Sequence, residues 1–256
     1  MKLSNHITLG VFVLASMLFS CTKKSGTLTI QIKPIVNGQP LELNSKYKSL
    51  PGKWFKAEKL KFYVSDLAIT VARQSFPLKE VILADLSNPA SLSYTFSGFD
   101  DIEISNVTFG LGLKPSLNNP SKSNDYDLGQ FEDANPLSGS QNMYWGMTSD
   151  YRFFLYEGRS DTSASQTNAD SQYRSFQYHI GKDKFYRDVS TINKPYRLKQ
   201  GEDNTLIVLL DLDKMFDSGT DKIDLGVENA TEAIGPIEEA LAEKLSNNLQ
   251  KAFSIE

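Results

Sequence analysis

The sequence has a single cysteine, Cys21, and two histidines, His6 and His179. One thiol closes no intrachain disulfide, and Cys21 sits at the end of a leader, so disulfide frameworks and thiolate metal sites are both excluded. With one histidine beyond the leader, a zinc site of His and Cys cannot be assembled. A nucleophilic triad would rest on His179 alone, and no nucleophile-elbow pattern accompanies it, which argues against a hydrolase. Glycine-rich phosphate cradles are missing as well. No Lys/Arg cluster reads as a stripe that would grip phosphates, and the formal net charge is −4, so no nucleic-acid partner is expected. Beyond the leader no apolar run is long enough to span a bilayer. Nothing in this inventory calls for catalysis, and the chain reads as a non-enzyme.

What is present begins with "MKLSNHITLGVFVLASMLFSC". One Lys precedes an apolar run, Ile7 to Phe19, that is short for a transmembrane helix and right for a secretory signal. It closes on Leu18-Phe19-Ser20-Cys21, a bacterial lipobox, so residues 1–20 read as a signal peptide and Cys21 as the lipidated residue. Removing the leader takes away one Lys and leaves the chain slightly more acidic. "CTKKSG", residues 21–26, reads as a tether, and residues 27–256 as one domain. The expected location is the cell envelope, lipid-anchored to a membrane. The tether carries no acidic run after the Cys, which favours the periplasm-facing side.

Most of the apolar signal has period two, the mark of strands. In "TLTIQIKP", Leu28, Ile30 and Ile32 share a face. In "KLKFYVSDLAITVA", Leu60, Phe62 and Val64 share one parity and Leu67, Ile69 and Val71 the other, which predicts a β-bulge or strand break near Ser65-Asp66. "DIEISNVTFGLGL" switches parity in the same way between Ile104 and Val107. "NTLIVLLDLD" is apolar at both parities from Leu206 to Leu210, as in a central strand covered on both sides. Residues 114–142 and 158–172 are long polar segments. Loops of that length are functional or mobile. In the tail, Ile237, Leu241, Leu245, Leu249 and Phe253 recur every four residues behind Pro236, predicting a helix over about 236–252 that docks on the side or open end of the fold. The sum is an all-β chain: an antiparallel β-sandwich with long loops and one C-terminal α-helix.

Two stretches carry the candidate chemistry. In "NMYWGMTSDYRFFLYEG", residues 142–158, strand geometry points Met143, Trp145 and Met147 the same way. In "FQYHIG", residues 176–181, His179 lies opposite Phe176, Tyr178 and Ile180, on the more polar face. Imidazole and thioether together suit copper, above all Cu(I). The same residues also suit plain sheet packing, since Met beside Trp packs well without a metal. Asp125, Asp127, Glu132 and Asp133 crowd one loop, but their spacing fits no EF-hand.

The segments "VNGQPLELNSKY", "KLKFYVSDLAI", "VILADLSNPAS", "FGLGLKPSLN", "NMYWGMTSDYRFFLYEG", "FQYHIG", "VLLDLDKMFD" and "KLSNNLQKAFSIE" follow one another in that order along nearly the whole mature chain. In that set and order the chain resembles the MbnP-like proteins. The resemblance implies an exported β-sandwich, in many relatives a lipoprotein of Bacteroidetes-type bacteria, with a role in copper binding. It implies His ligands, and a tryptophan oxidised to kynurenine by a diheme, MauG-type partner. Trp145 matches the tryptophan that opens the family's W-x-W element, and Met147 stands where the second tryptophan falls. Tyr151 matches a nearby tyrosine, and His179 matches the histidine of F-x-x-H-I-G. Pro34 stands where relatives often carry another histidine, and the His-containing tail after "FSF" is absent, so this chain keeps one imidazole. The implied metal set is His179, Trp145 and Met147, with copper as cofactor and Trp145 as the partner's target. Asp66 and Asp85 match polar family positions with a structural role. A second reading is a metal-free envelope module for interaction or ligand binding. Its face would be the 114–142 loop with Tyr144, Tyr151, Phe153 and Tyr156.

Overall fold

Alternation drives almost every element. In β1 (Gly26–Val36), Leu28, Ile30 and Ile32 are buried while Gln31 stands outside. β1 is flanked on one edge by β13 (Asp203–Asp211) and on the other by β6 (Ser93–Phe99) and the short β2 (Gln39–Pro40). β14 (Phe253–Ile255) closes this smaller sheet on the far edge of β13. Pairing of β1 with β13 is parallel; the other named ladders are antiparallel. The computed structural model describes residues 24–50, 52–118, 130–145, 150–191, 195–231 and 236–256. The leader and Cys21 lie outside them.

The larger sheet is organised by one long strand, β4 (Trp54–Val71). Its first half pairs with β9 (Asp150–Asp161) and its second half with β7 (Ile102–Leu111), so β9 and β7 follow one another along the same edge. The opposite edge carries β3 (Lys46–Lys48) and β5 (Gln74–Asp85). β10 (Tyr173–Gly181) extends the sheet beyond β9, while β11 (Arg187–Ser190) and β12 (Tyr196–Leu198) extend it beyond β7. β8 (Tyr144–Trp145) caps the start of β9. The predicted bulge is there: Asp66 has φ 49°, and the pairing of β4 with β7 shifts between Ser65 and Ala68. That extra residue keeps Phe62 and Val64 on the same inward face as Leu67 and Ile69. In β7, Ile104 pairs with Val71 and Asn106 with Thr70, so Ser105 is the extra residue that restores the face.

The main core lies between the two sheets. β13 departs from expectation. Leu206, Val208 and Leu210 are buried, but Ile207 and Leu209 are only half-buried, because the smaller sheet is covered on its inner face alone. The larger sheet is covered on its inner face and over part of its outer face. A second cluster, including Tyr63, Leu83, Met143, Tyr151, Phe153 and Leu155, forms on its outer face.

Among the described residues two α-helices are present where one was expected. α1 (Leu212–Phe216) is a single turn capped by Asp211, whose side chain accepts from the amide of Asp213. α2 (Pro236–Gln250) buries Leu241, Leu245 and Leu249 against α1 and the edge of the larger sheet. Ile237 is 80% exposed and takes no part in that face. Phe253 is not helical either: the chain leaves α2 at Gln250 and enters β14, where Phe253 packs into the core from the sheet.

Candidate functional site

The site is set by register on the outer face of β4, β9 and β10. Glu157 of β9 pairs with Lys59 of β4 on one side and Gln177 of β10 on the other; two residues along, on the same face, Leu155 lies between Lys61 and His179. The alternation of β10 places Phe176, Tyr178 and Ile180 in the main core, and His179 therefore faces outward, as the sequence predicts. His179 is nonetheless only 5% exposed. Its backbone is pinned at the edge of β10, where the amide donates to Thr231 Oγ1 at 2.7 Å and the same hydroxyl donates to its carbonyl at 2.9 Å.

His179 Nε2 lies 2.8 Å from Glu157 Oε1, and Lys59 Nζ lies 2.9 Å from Glu157 Oε2. Burial pushes the Glu157 carboxyl up, but the Lys59 ammonium and the His179 imidazole outweigh it and hold it below its ordinary value. An anionic carboxylate accepts only, so the geometry assigns the proton of the neutral imidazole to Nε2. Trp145 completes the corner. β8 pairs antiparallel with the start of β9, Trp145 opposite Asp150, and this brings the indole edge-on to the imidazole: the ring centroids are 6.3 Å apart at 88°. The Arg152 guanidinium sits 5.3 Å from the indole centroid, and its Nη1 donates to the Asn142 carbonyl at 3.2 Å. An open groove of about 300 Å³ runs past these groups, with Lys59, Lys61, Arg152, Glu157, Gln177 and His179 on its walls.

Of the three residues expected at a metal, the structure brings Trp145 and His179 into contact. Met147 lies outside the described residues, as do Asp125 and Asp127. Pro34 is buried in β1 of the smaller sheet, so that position faces the core and not the groove. Among the described residues, no group of three or more His, Cys, Asp or Glu is arranged to hold a metal ion.

The aromatic binding face is a correction. Tyr151, Phe153 and Tyr156 are at most 1% exposed. Tyr151 and Phe153 lie under the 130–145 segment, and Tyr156 lies on the opposite parity in the main core. The segment itself docks: Tyr63 and Tyr151 hydroxyls donate to the Pro136 and Leu137 carbonyls, both at 2.7 Å, and Leu137 and Met143 pack beneath it. Its few apolar residues suffice because the sheet beneath supplies the rest.

Glu157 and Lys59 are the functional neighbours that sequence reasoning missed. Lys56 and Lys59 stand three apart, which puts them on opposite faces of a regular strand. The pairing of β4 with β9 shifts between Ala57 and Lys59, and Glu58 is the extra residue. The signal was the broken alternation in "KWFKAEKLKF", where Phe55, Ala57, Leu60 and Phe62 are buried.

Fold and site together define an all-β, two-sheet protein with a carboxylate–imidazole–indole corner on the outer face of the larger sheet. The MbnP family model matches residues 25–235, and the chain belongs to the MbnP family. Among solved structures it is similar to MbnP from Methylosinus trichosporium, at 13% identity over 84% of this chain and 82% of that one, with a TM-score of 0.51. At that identity the likeness shows the fold. No curated protein matches the chain.

Proposed function

We propose that this chain is a cell-envelope lipoprotein, anchored through Cys21, that holds one Cu(I) ion at His179. The observation that carries this reading is the Glu157–His179 pair at 2.8 Å. Metal-ligating histidines characteristically give one ring N–H to a carboxylate, which fixes the tautomer and makes the other nitrogen the better donor. Here Nε2 is so engaged, and Nδ1 is the atom that would be offered to the ion. Trp145, edge-on to the ring, would shield a bound ion from water. Oxidation of Trp145 by a diheme MauG-type partner would convert the shield into a ligand. Met147 supplies the soft thioether. One imidazole with a thioether fits low-coordinate Cu(I) and no hard cation. Bound copper would be cargo or a redox centre, and no catalysis is assigned.

The test is a Cu(I) competition titration. Wild type takes up one equivalent and His179→Ala takes up none; superimposable curves would defeat the reading. A second reading has its own observation. Arg152 lies over the indole and Lys59 and Lys61 rim the same groove, and all three repel a cation. In that reading the chain is a metal-free envelope module. Protein isolated without copper from copper-replete cells, and refusing it in the titration, would establish it.

A further inference from the structure

The bulge at Glu58 has a second effect. It gathers the cations of three strands on one side of the larger sheet. Lys46 of β3 pairs directly with Lys56 of β4, and Lys56 pairs directly with Arg159 of β9. Three cations thus stand in a single row across the sheet. Like charges directly opposite one another destabilise a sheet. Lys59 and Lys61 continue the patch towards the His179 groove, and Lys48 lies over the ring of Trp54. The sequence was expected to hold no such stripe; the fold assembles one.

The carboxylates nearby do not neutralise it. Glu58 is divided between Lys56 at 3.9 Å and Arg159 at 3.2 Å. Lys46 meets Asp170 at 2.7 Å, Lys59 meets Glu157 at 2.9 Å and Lys61 meets Asp85 at 2.9 Å. Six cations against four carboxylates leave a positive face on a chain whose net charge is −4. The contacts of Lys46 with Asp170 and of Arg159 with Glu58 are solvent-exposed, and such pairs are weak, so a binding partner competes with them readily.

We infer that the outward face of β3, β4 and β9 is a docking face for a protein partner with an acidic surface, which it guides to the His179 groove. Complementary charge of this sort raises association rate and fixes orientation. A bilayer is the poorer occupant. Gly26 at the start of β1 pairs with Phe99, just before β7 begins, and Ile104 of β7 pairs with Val71 at the far end of β4. Fifteen residues of strand separate Val71 from Lys56, on the order of 45–50 Å at about 3.3 Å per residue. A tether from Cys21 to Gly26 spans at most about 18 Å. The anchored end and the cationic row are at opposite ends of β4.

The inference stands apart from the copper reading. The test uses the mature chain, a fluorescent decaglutamate peptide as the acidic probe, and phosphatidylglycerol vesicles as the lipid probe. Wild type is expected to bind the peptide, more weakly as salt rises. Lys46→Gln/Lys56→Gln/Arg159→Gln is expected to lose about tenfold or more in affinity, while Lys33→Gln, on the smaller sheet where it meets Glu256, keeps it. His179→Ala is expected to bind the peptide like wild type, which separates this result from failure of the copper site. Lys56→Gln alone is expected to raise Tm by relieving the row. Unchanged peptide binding by the triple variant would overturn the inference. So would vesicle binding that exceeds peptide binding and depends on the same three residues.

Discussion

Glu157 is the residue on which the corner depends. It joins Lys59 of one strand to His179 of another, and its carboxyl sits below its ordinary value of 4.5 despite the burial that opposes it. A carboxyl depressed in the folded state contributes stability above its unfolded value and loses it as pH falls through the folded one. Glu157→Gln should therefore lower stability at neutral pH and flatten the decline of stability below about pH 4.5. Chemical denaturation at a series of pH values checks this; parallel wild-type and variant curves would mean the carboxylate is not held as described. The outward direction of His179 was legible in the alternation of "FQYHIG". Its partner was not, because a carboxylate on the neighbouring strand becomes a partner only once register is known.

At the scale of the element, β4 decides most of the architecture. Its parity switch was legible because apolar residues must return to one face, and only an extra residue allows that. Asp66 supplies it at φ 49°, a conformation that Asp tolerates and β-branched residues do not, and Lys114 Nζ holds its carboxylate at 2.9 Å. Asp66→Val is expected to cost about 1–3 kcal/mol, and Asp66→Gly distinctly less. Urea unfolding of the two variants measures the difference, and equal losses would show that the side-chain contact and not the backbone matters. The second bulge, at Glu58, was hidden because "KAEK" has one apolar residue to mark the phase. In α2 the four-residue spacing revealed Leu241, Leu245 and Leu249, but periodicity cannot tell where a helix stops. Phe253 continues the spacing by coincidence and belongs to a strand.

For the whole molecule, the sandwich is asymmetric. The smaller sheet is buried on one face; the larger is buried on its inner face by the smaller sheet and, over part of its outer face, by the 130–145 segment. That segment belongs to the 114–142 stretch that read as a functional or mobile loop because its composition is polar. It docks because Tyr63, Tyr151 and Phe153 offer an apolar bed and two tyrosine hydroxyls meet its carbonyls. Beside that segment the outer face holds the buried carboxylate–imidazole–indole corner and, next to it, the cationic row, so cargo and partner would meet on one side of the sheet. X-ray absorption of the Cu(I)-loaded chain tests that account most directly. It should show imidazole scattering from a single histidine in wild type and in Lys56→Gln, and no bound copper in His179→Ala. Copper spectra identical in wild type and His179→Ala would contradict it.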